Sequence, residues 1–291
     1  MYRGLRMAGS GAASAAAPAY RPLQSSMDVE FTQLSDRGQV REGNEDYVGH
    51  VLASTPERVR SHGWLFALAD GVGGHELGEV ASRTAVESIL ADFREAAAGE
   101  PPGALLGRLV QRANTSVIDA GHASGSLGTS MATTLVACAL RFDRASVAHV
   151  GDSRCYLIRR GQTVLLTRDH TVANDQVRLG LLSPDEVAGS PNRHMLSRCL
   201  GTDLFVNVDV DEHQVFVGDV LLLCSDGLHV SVTASEMASV TGHGGDLAVA
   251  ARRLVDIANQ RDGSDNITLQ LIRVRGVERV GIYRGRPYRL P

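Results

Sequence analysis

The sequence predicts an α+β protein, a layered α-β-β-α sandwich of two antiparallel sheets flanked by paired helices, and three observations carry that expectation. Two amphipathic helical periods follow one another between residues 79 and 120, with no strand between them. The period then changes to two, or to short continuous apolar runs, through 133–167, which reads as a meander of consecutive strands. A second group of strands leads into a second pair of helices and one closing strand. Helices therefore come in pairs and strands in antiparallel runs, unlike an alternating βαβ fold.

The elements follow in order from Val29. Residues 64–69 form a compact apolar run ending at Asp70-Gly71, a buried strand entering a turn. Across 79–97, Val80, Thr84, Ile89, Leu90 and Phe93 stand close to helical spacing, and Pro101-Pro102 blocks continuation. Leu105, Leu109, Ala113 and Val117 recur every fourth position within 104–120. Strands are expected at 133–140, 146–150, 155–158 and 164–167. Residues 168–200 are mixed in character and carry Gly180, Pro184 and Pro191, so they read as a flap-like helical excursion over the sheet. Strands resume at 205–210, 215–217 and 220–224, helices lie near 235–240 and 247–260, and 266–274 closes the core. No internal repeat is present.

With 43% apolar and 21% charged residues, the 291-residue chain has the composition of an ordinary globular protein with a sizeable core. A net charge of only −4, with basic residues dispersed, excludes the electrostatic footprint of a dedicated nucleic-acid binder. Cys138, Cys155, Cys199 and Cys224 are widely spaced and form no C-x-x-C pair, so they read as reduced core residues of a cytoplasmic protein. No apolar run approaches the roughly 18 residues of a membrane span. Residues 28–274 read as one domain. Residues 1–27 contain Arg3, Arg6 and Arg21 without an acid, but 12–17 lack the Leu, Val or Phe of a secretory signal. A disordered leader, or a start at Met27, fits that composition better than a targeting peptide.

Acidic residues gather at strand ends: Asn44-Glu45-Asp46, Asp70-Gly71, Gly151-Asp152-Ser153, Ser225-Asp226-Gly227 and Asp265-Asn266. There the chain leaves the core, so the carboxylates can converge at one sheet edge. Hard divalent cations such as magnesium or manganese take oxygen ligands of this kind, whereas zinc would call for His and Cys clusters that are absent. Each Asp-Gly alone is an ordinary turn signal. Their order is the informative part.

Ser35-Asp36-Arg37-Gly38-Gln39-Val40-Arg41-Glu42-Gly43-Asn44-Glu45-Asp46, Asp70-Gly71-Val72-Gly73-Gly74-His75, Gly151-Asp152-Ser153-Arg154, Ser225-Asp226-Gly227-Leu228 and Gly263-Ser264-Asp265-Asn266-Ile267-Thr268 resemble, in that order, the motifs of the metal-dependent (type 2C) protein phosphatases in their bacterial form. The resemblance covers residues 29 to about 274. It implies the same sandwich, with two Mn2+ or Mg2+ ions at one end and phosphorylated serine or threonine proteins as substrates, opposite a cognate kinase. By that resemblance Asp70 bridges both ions, the Gly71 carbonyl adds a ligand, and Asp226 and Asp265 hold the first ion. Glu45 and Asp46 support the second, directly or through water. Asp152, with Asp226, matches the holders of a weaker third ion, and Arg41 matches the arginine that grips phosphate. His75 reads as a helix entry more simply than as a general acid. Val72, Ala132 and His229 depart from the usual pattern, the first two in packing beneath the ions and the last at the mouth of the site.

Two rival readings remain. Cys138 and Arg144 have the C-x-x-x-x-x-R spacing of cysteine-dependent phosphatases, but the intervening residues lack glycine and continue a strand. A catalytically dead phosphoprotein-binding module of the same fold is the second, and it should have lost ligands that this chain keeps. Beyond the resemblance, 275–291 form a basic extension. There 278–283 alternates enough for an added edge strand that offers guanidinium groups to acidic or phosphorylated protein surfaces.

Overall fold

A computed structural model describes residues 27–72, 76–124, 131–242, 244–283 and 286–289. Strands and helices are numbered in chain order. One sheet runs β1 (Asp28–Asp36), β11 (Ile267–Gly276), β10 (Val220–Cys224), β7 (Arg154–Arg159), β8 (Gln162–Leu165). The other runs β2 (Asp46–Val51), β3 (Trp64–Val72), β5 (Leu135–Arg141), β6 (Arg144–Val150), β9 (Asp209–Gln214), with β4 (Ala132–Thr133) against β3. Neighbouring strands pair antiparallel throughout.

Helices α2 (Glu76–Glu95) and α3 (Pro102–Ala123) cover the second sheet, and α6 (Ala234–Thr241) and α7 (Leu247–Arg261) cover the first. The predicted sandwich is thus the observed one. β10 is apolar at every position and β5 at all but Arg141, because both faces are covered. On β3, Leu65, Ala67 and Ala69 face Ile89, Phe93 and Leu109 of the helix pair, while Phe66 and Leu68 face Leu221, Leu223 and Ile272 of the opposite sheet. On the far side, Leu222, Leu269 and Leu271 pack against Met237 and Leu254. Each such side chain contributes about 1.5–3 kcal/mol on leaving water.

Residues 168–200 carry α4 (Val172–Arg178) and a 3-10 turn at Pro184–Gly189, and their two stems are joined where Thr171 bridges Leu196.

Three expectations fail. Residues 205–208 are not strand, because β6 pairs with β9 only as far as His149 opposite Asp209. Instead, the Gln111 side chain of α3 takes both the N–H and the C=O of Val206, and Phe205 is left 86% exposed. Nor are 215–217 strand: the Asp219 carboxylate accepts from the Phe216 N–H at 2.8 Å and turns the chain. Finally, the extension joins neither sheet edge. β12 (Val280–Tyr283) pairs with β13 (Arg286–Arg289), the next segment in sequence and the one with the shortest loop to close. This hairpin is anchored where Glu278 donates its N–H to the Phe142 carbonyl and accepts from Arg60 Nε at 3.2 Å. A short helix, α1 (Pro56–Ser61), was not foreseen.

Candidate metal centre

Antiparallel register brings the acids together. Asp46, the first residue of β2, lies opposite Asp70 near the end of β3. In the other sheet β10 ends at Cys224, with only Ser225 before Asp226 at the start of α5 (Asp226–His229), and β11 begins at Ile267, with only Asn266 after Asp265. Gly151 and Asp152 cross from β6 in one sheet to β7 in the other. All five motifs therefore meet at one end of the sandwich, two from each sheet and one from the crossing between them.

Backbone and amide contacts fix them there. The Asp70 N–H donates to Thr134 Oγ1 at 2.9 Å, and its carbonyl accepts from Thr134 N at 2.9 Å and Thr133 Oγ1 at 2.8 Å. Those contacts explain why the predicted strand 133–140 breaks at Thr134. The Gly71 N–H reaches the Glu45 carbonyl at 3.1 Å. Asn266 pins the loop before β2: its Oδ1 accepts from the Glu45 N–H at 2.8 Å and its Nδ2 donates to the Arg37 and Gly43 carbonyls, each at 3.0 Å. A side chain on Gly227 would collide with the Asn266 carbonyl, so that position needs glycine.

A cleft of about 850 Å³ is lined by Arg41, Glu45, Asp70, Gly71, Asp152, Asp226 and Asp265, together with Arg193, His194 and Met195 of the flap. Asp46 lies beneath the cleft floor. Ser225 Oγ donates to its Oδ2 at 2.7 Å, while its Oδ1 is buried without a hydrogen-bond partner. Burial pushes Asp46 up to about 7, against the Ser225 hydrogen bond and with help from Asp226 and Asp265. Burial, with Asp226 and Asp169 nearby, pushes Asp152 up to about 7 as well. Asp70 rises well above the carboxylate range through burial and then the charges of Asp46 and Asp226, and Asp226 rises through burial and Asp265. Desolvated, mutually repelling carboxylates with an orphaned oxygen among them fit hard cations, which would remove both penalties.

Arg41 Nη2 lies 2.8 Å from Asp265 Oδ2, half-exposed at the rim, so the phosphate-gripping candidate is paired with a ligand candidate. Among the described residues its remaining N–H groups have no hydrogen-bond partner and can face an anion. Arg154 is committed elsewhere, holding Asp169 through two bonds of 2.8 and 2.6 Å. Cys138 is fully buried in the middle of β5, which removes the cysteine-phosphatase reading. His75 lies outside the described residues. Val72 is 41% exposed at the cleft rim, not packed beneath it. His229 departs from its expected role too: its Nε2 donates to the Asp152 carbonyl at 3.0 Å from behind the cleft.

Comparison with known proteins agrees with this geometry. A sequence profile of the protein phosphatase 2C family matches residues 44–261. The serine/threonine phosphatase stp of Listeria innocua is 33% identical over 249 residues, 84% of this chain and 95% of that protein. The Streptococcus agalactiae serine/threonine phosphatase superposes with a TM-score of 0.77 at 31% identity, covering 85% of this chain and all of that one. The catalytic domain of the serine/threonine phosphatase PstP, solved in complex with two manganese ions, gives 0.71 at 32% identity over 86% of this chain and 99% of that one. The chain belongs to the protein phosphatase 2C family.

Proposed function

We propose that the chain hydrolyses phosphoserine and phosphothreonine esters in proteins at a binuclear manganese or magnesium centre. One observation carries the reading: Glu45, Asp70, Asp152, Asp226 and Asp265 line a single cleft whose buried carboxylates are held above their ordinary range, with Arg41 at its rim. Asp70 would serve both ions, and the Gly71 carbonyl would add a ligand. Asp226 and Asp265 would complete one position, Glu45 and, from beneath, Asp46 the other. Asp152 with Asp226 would hold a weaker third. When bound, such ions acidify water toward neutral pH and neutralise phosphate charge.

The chain's own groups do the remaining work. Arg41 offers a planar pair of donors that fits two phosphate oxygens, which a lysine would not reproduce. Thr134 and Asn266 keep the Asp70 and Glu45 backbones fixed, so the carboxylates need not reorganise during turnover. No candidate ligand is missing, which favours catalysis over a dead binding module. Four free cysteines, three of them buried, support a reducing cytoplasmic setting, and a serine/threonine kinase would supply the substrates. Among the described residues no helix is long and apolar enough to cross a membrane. Hydrolysis of a phosphothreonine peptide should require added Mn2+ or Mg2+ and stop with chelator. Full activity in excess EDTA, or its loss to iodoacetamide with Mn2+ present, would overturn the reading.

A further inference from the structure

We infer that His170 is a positioning residue that clamps the flap stem to the turn carrying Asp152. The inference rests on the reading of Asp152 as part of the metal centre. His170 is 1% exposed and stands where the chain leaves the sandwich for the flap. Its backbone N–H donates to the Gly151 carbonyl at 2.9 Å, and its ring Nδ1 accepts from the Gly151 N–H at 3.2 Å. One residue thus takes both polar groups of Gly151, whose φ of +103° and missing side chain leave the turn little restraint of its own. Because Nδ1 accepts, the proton is on Nε2, which lies 3.3 Å from both Asp209 Oδ2 and Arg198 Nη1 and donates to the carboxylate, the only acceptor of the two.

Asp209 is bracketed by both stems of the flap: Arg168 reaches it at 3.2 Å from the outgoing stem and Arg198 at 3.0 Å from the returning one. The His170 carbonyl accepts from the Ser197 N–H at 2.9 Å, closing the stems on each other. The His149 ring stacks on His170 with centroids 4.7 Å apart and planes 17° apart. His149, His170 and Asp209 have the composition of a cation site, but two guanidinium groups already neutralise Asp209, so the cluster is a clamp. A second tie runs parallel to it. Leu200 on the returning stem pairs in both directions with Thr133, whose hydroxyl holds the Asp70 carbonyl at 2.8 Å. The flap stems are in this way tied to the backbone beside two acids of the cleft.

Asparagine and glutamine divide the clamp. His170→Asn keeps an acceptor near Nδ1 for Gly151 and drops the Asp209 contact, whereas His170→Gln does the reverse. In the full chain we expect His170→Gln to speed amide exchange at 151–154 about 10-fold and to lower kcat about 10-fold, with KM for an aryl phosphate little changed. His170→Asn should recover both to within about 3-fold, and Mn2+ binding measured by calorimetry should weaken in the Gln variant only. Wild-type exchange at 151–154 in the Gln variant, or equal losses in both variants that follow their melting temperatures, would overturn the clamp. The exchange readout needs no turnover, so an inactive wild-type enzyme would count against the phosphatase reading and leave the clamp to be judged separately.

Discussion

Withholding metal while raising the pH should weaken the fold, because the buried acids of the cleft then ionise with nothing to neutralise them. Asp46 and Asp152 are 6% and 8% exposed and both are pushed up to about 7. Their folded values lie above the unfolded value of about 3.9, so between about pH 4 and 7 the native state holds more protons and stability falls as pH rises. Each group costs about 1.4 kcal/mol per pH unit well below its folded value and half that at it, so the pair loses about 3 kcal/mol from pH 5.5 to 7. For a domain of this size that is a loss of roughly 6–12 °C in Tm. Circular dichroism melts in EDTA at several pH values would measure it, and saturating Mn2+ should restore more at about pH 7.5 than at 5.5, since protons compete for the same oxygens. Asp46→Asn should flatten the apo slope while weakening Mn2+ binding. A metal-free Tm that is flat or rises across the window, or an equal Mn2+ shift at both pH values, would refute the reasoning.

Other expected outcomes concern turnover and packing. Asp70→Asn and Asp265→Asn should abolish phosphatase activity with the far-UV spectrum intact, while Arg41→Ala should cost about 10- to 150-fold, the loss of one charge-assisted contact. Gly227→Ala should destabilise by about 1–3 kcal/mol, read in a urea titration, because its methyl group meets the Asn266 carbonyl. Truncation after Gly276 should lower Tm through the lost Arg60–Glu278 pair and leave activity on an aryl phosphate and on a phosphoprotein equal across a salt series. That outcome reverses the docking role drawn from the extension's charge. The hairpin packs beside the β5–β6 turn, at the opposite end of the sandwich from Asp46 and Asp70.

What the sequence disclosed follows the range of the interactions involved. β10 is a continuous apolar run buried on both faces, and its bounds at 220 and 224 match the reading. β9 was misplaced because its residues, Asp209–Gln214, are mostly polar and exposed, and only pairing with β6 makes them a strand. Residues 205–208 have the opposite property, an apolar pattern with no ladder to join. α1 carries a local signal, Thr55 accepting from the Arg58 N–H with Pro56 in the first turn. The ordered motifs bring Glu45, Asp70, Gly71, Asp152, Asp226 and Asp265 to one cleft, and Asp46 sits below it. Asn266 and Ser225 stand inside the motifs without a role that the motifs reveal, and His170 lies outside them. Asn266 and Ser225 bond to residues more than 170 positions away, and His170 to Gly151 across a reversal of the chain.

The division of ligand candidates between two sheets has a kinetic consequence. Each sheet buries its own helix pair in a separate apolar cluster, so either half has reason to assemble before the two meet. Asp46 and Asp70 belong to one half, Asp226 and Asp265 to the other, and the Asp46–Ser225 hydrogen bond crosses between them. A cation held by both halves is a rivet across a seam that closes late. It should leave the folding limb of a chevron plot in place and slow the unfolding limb.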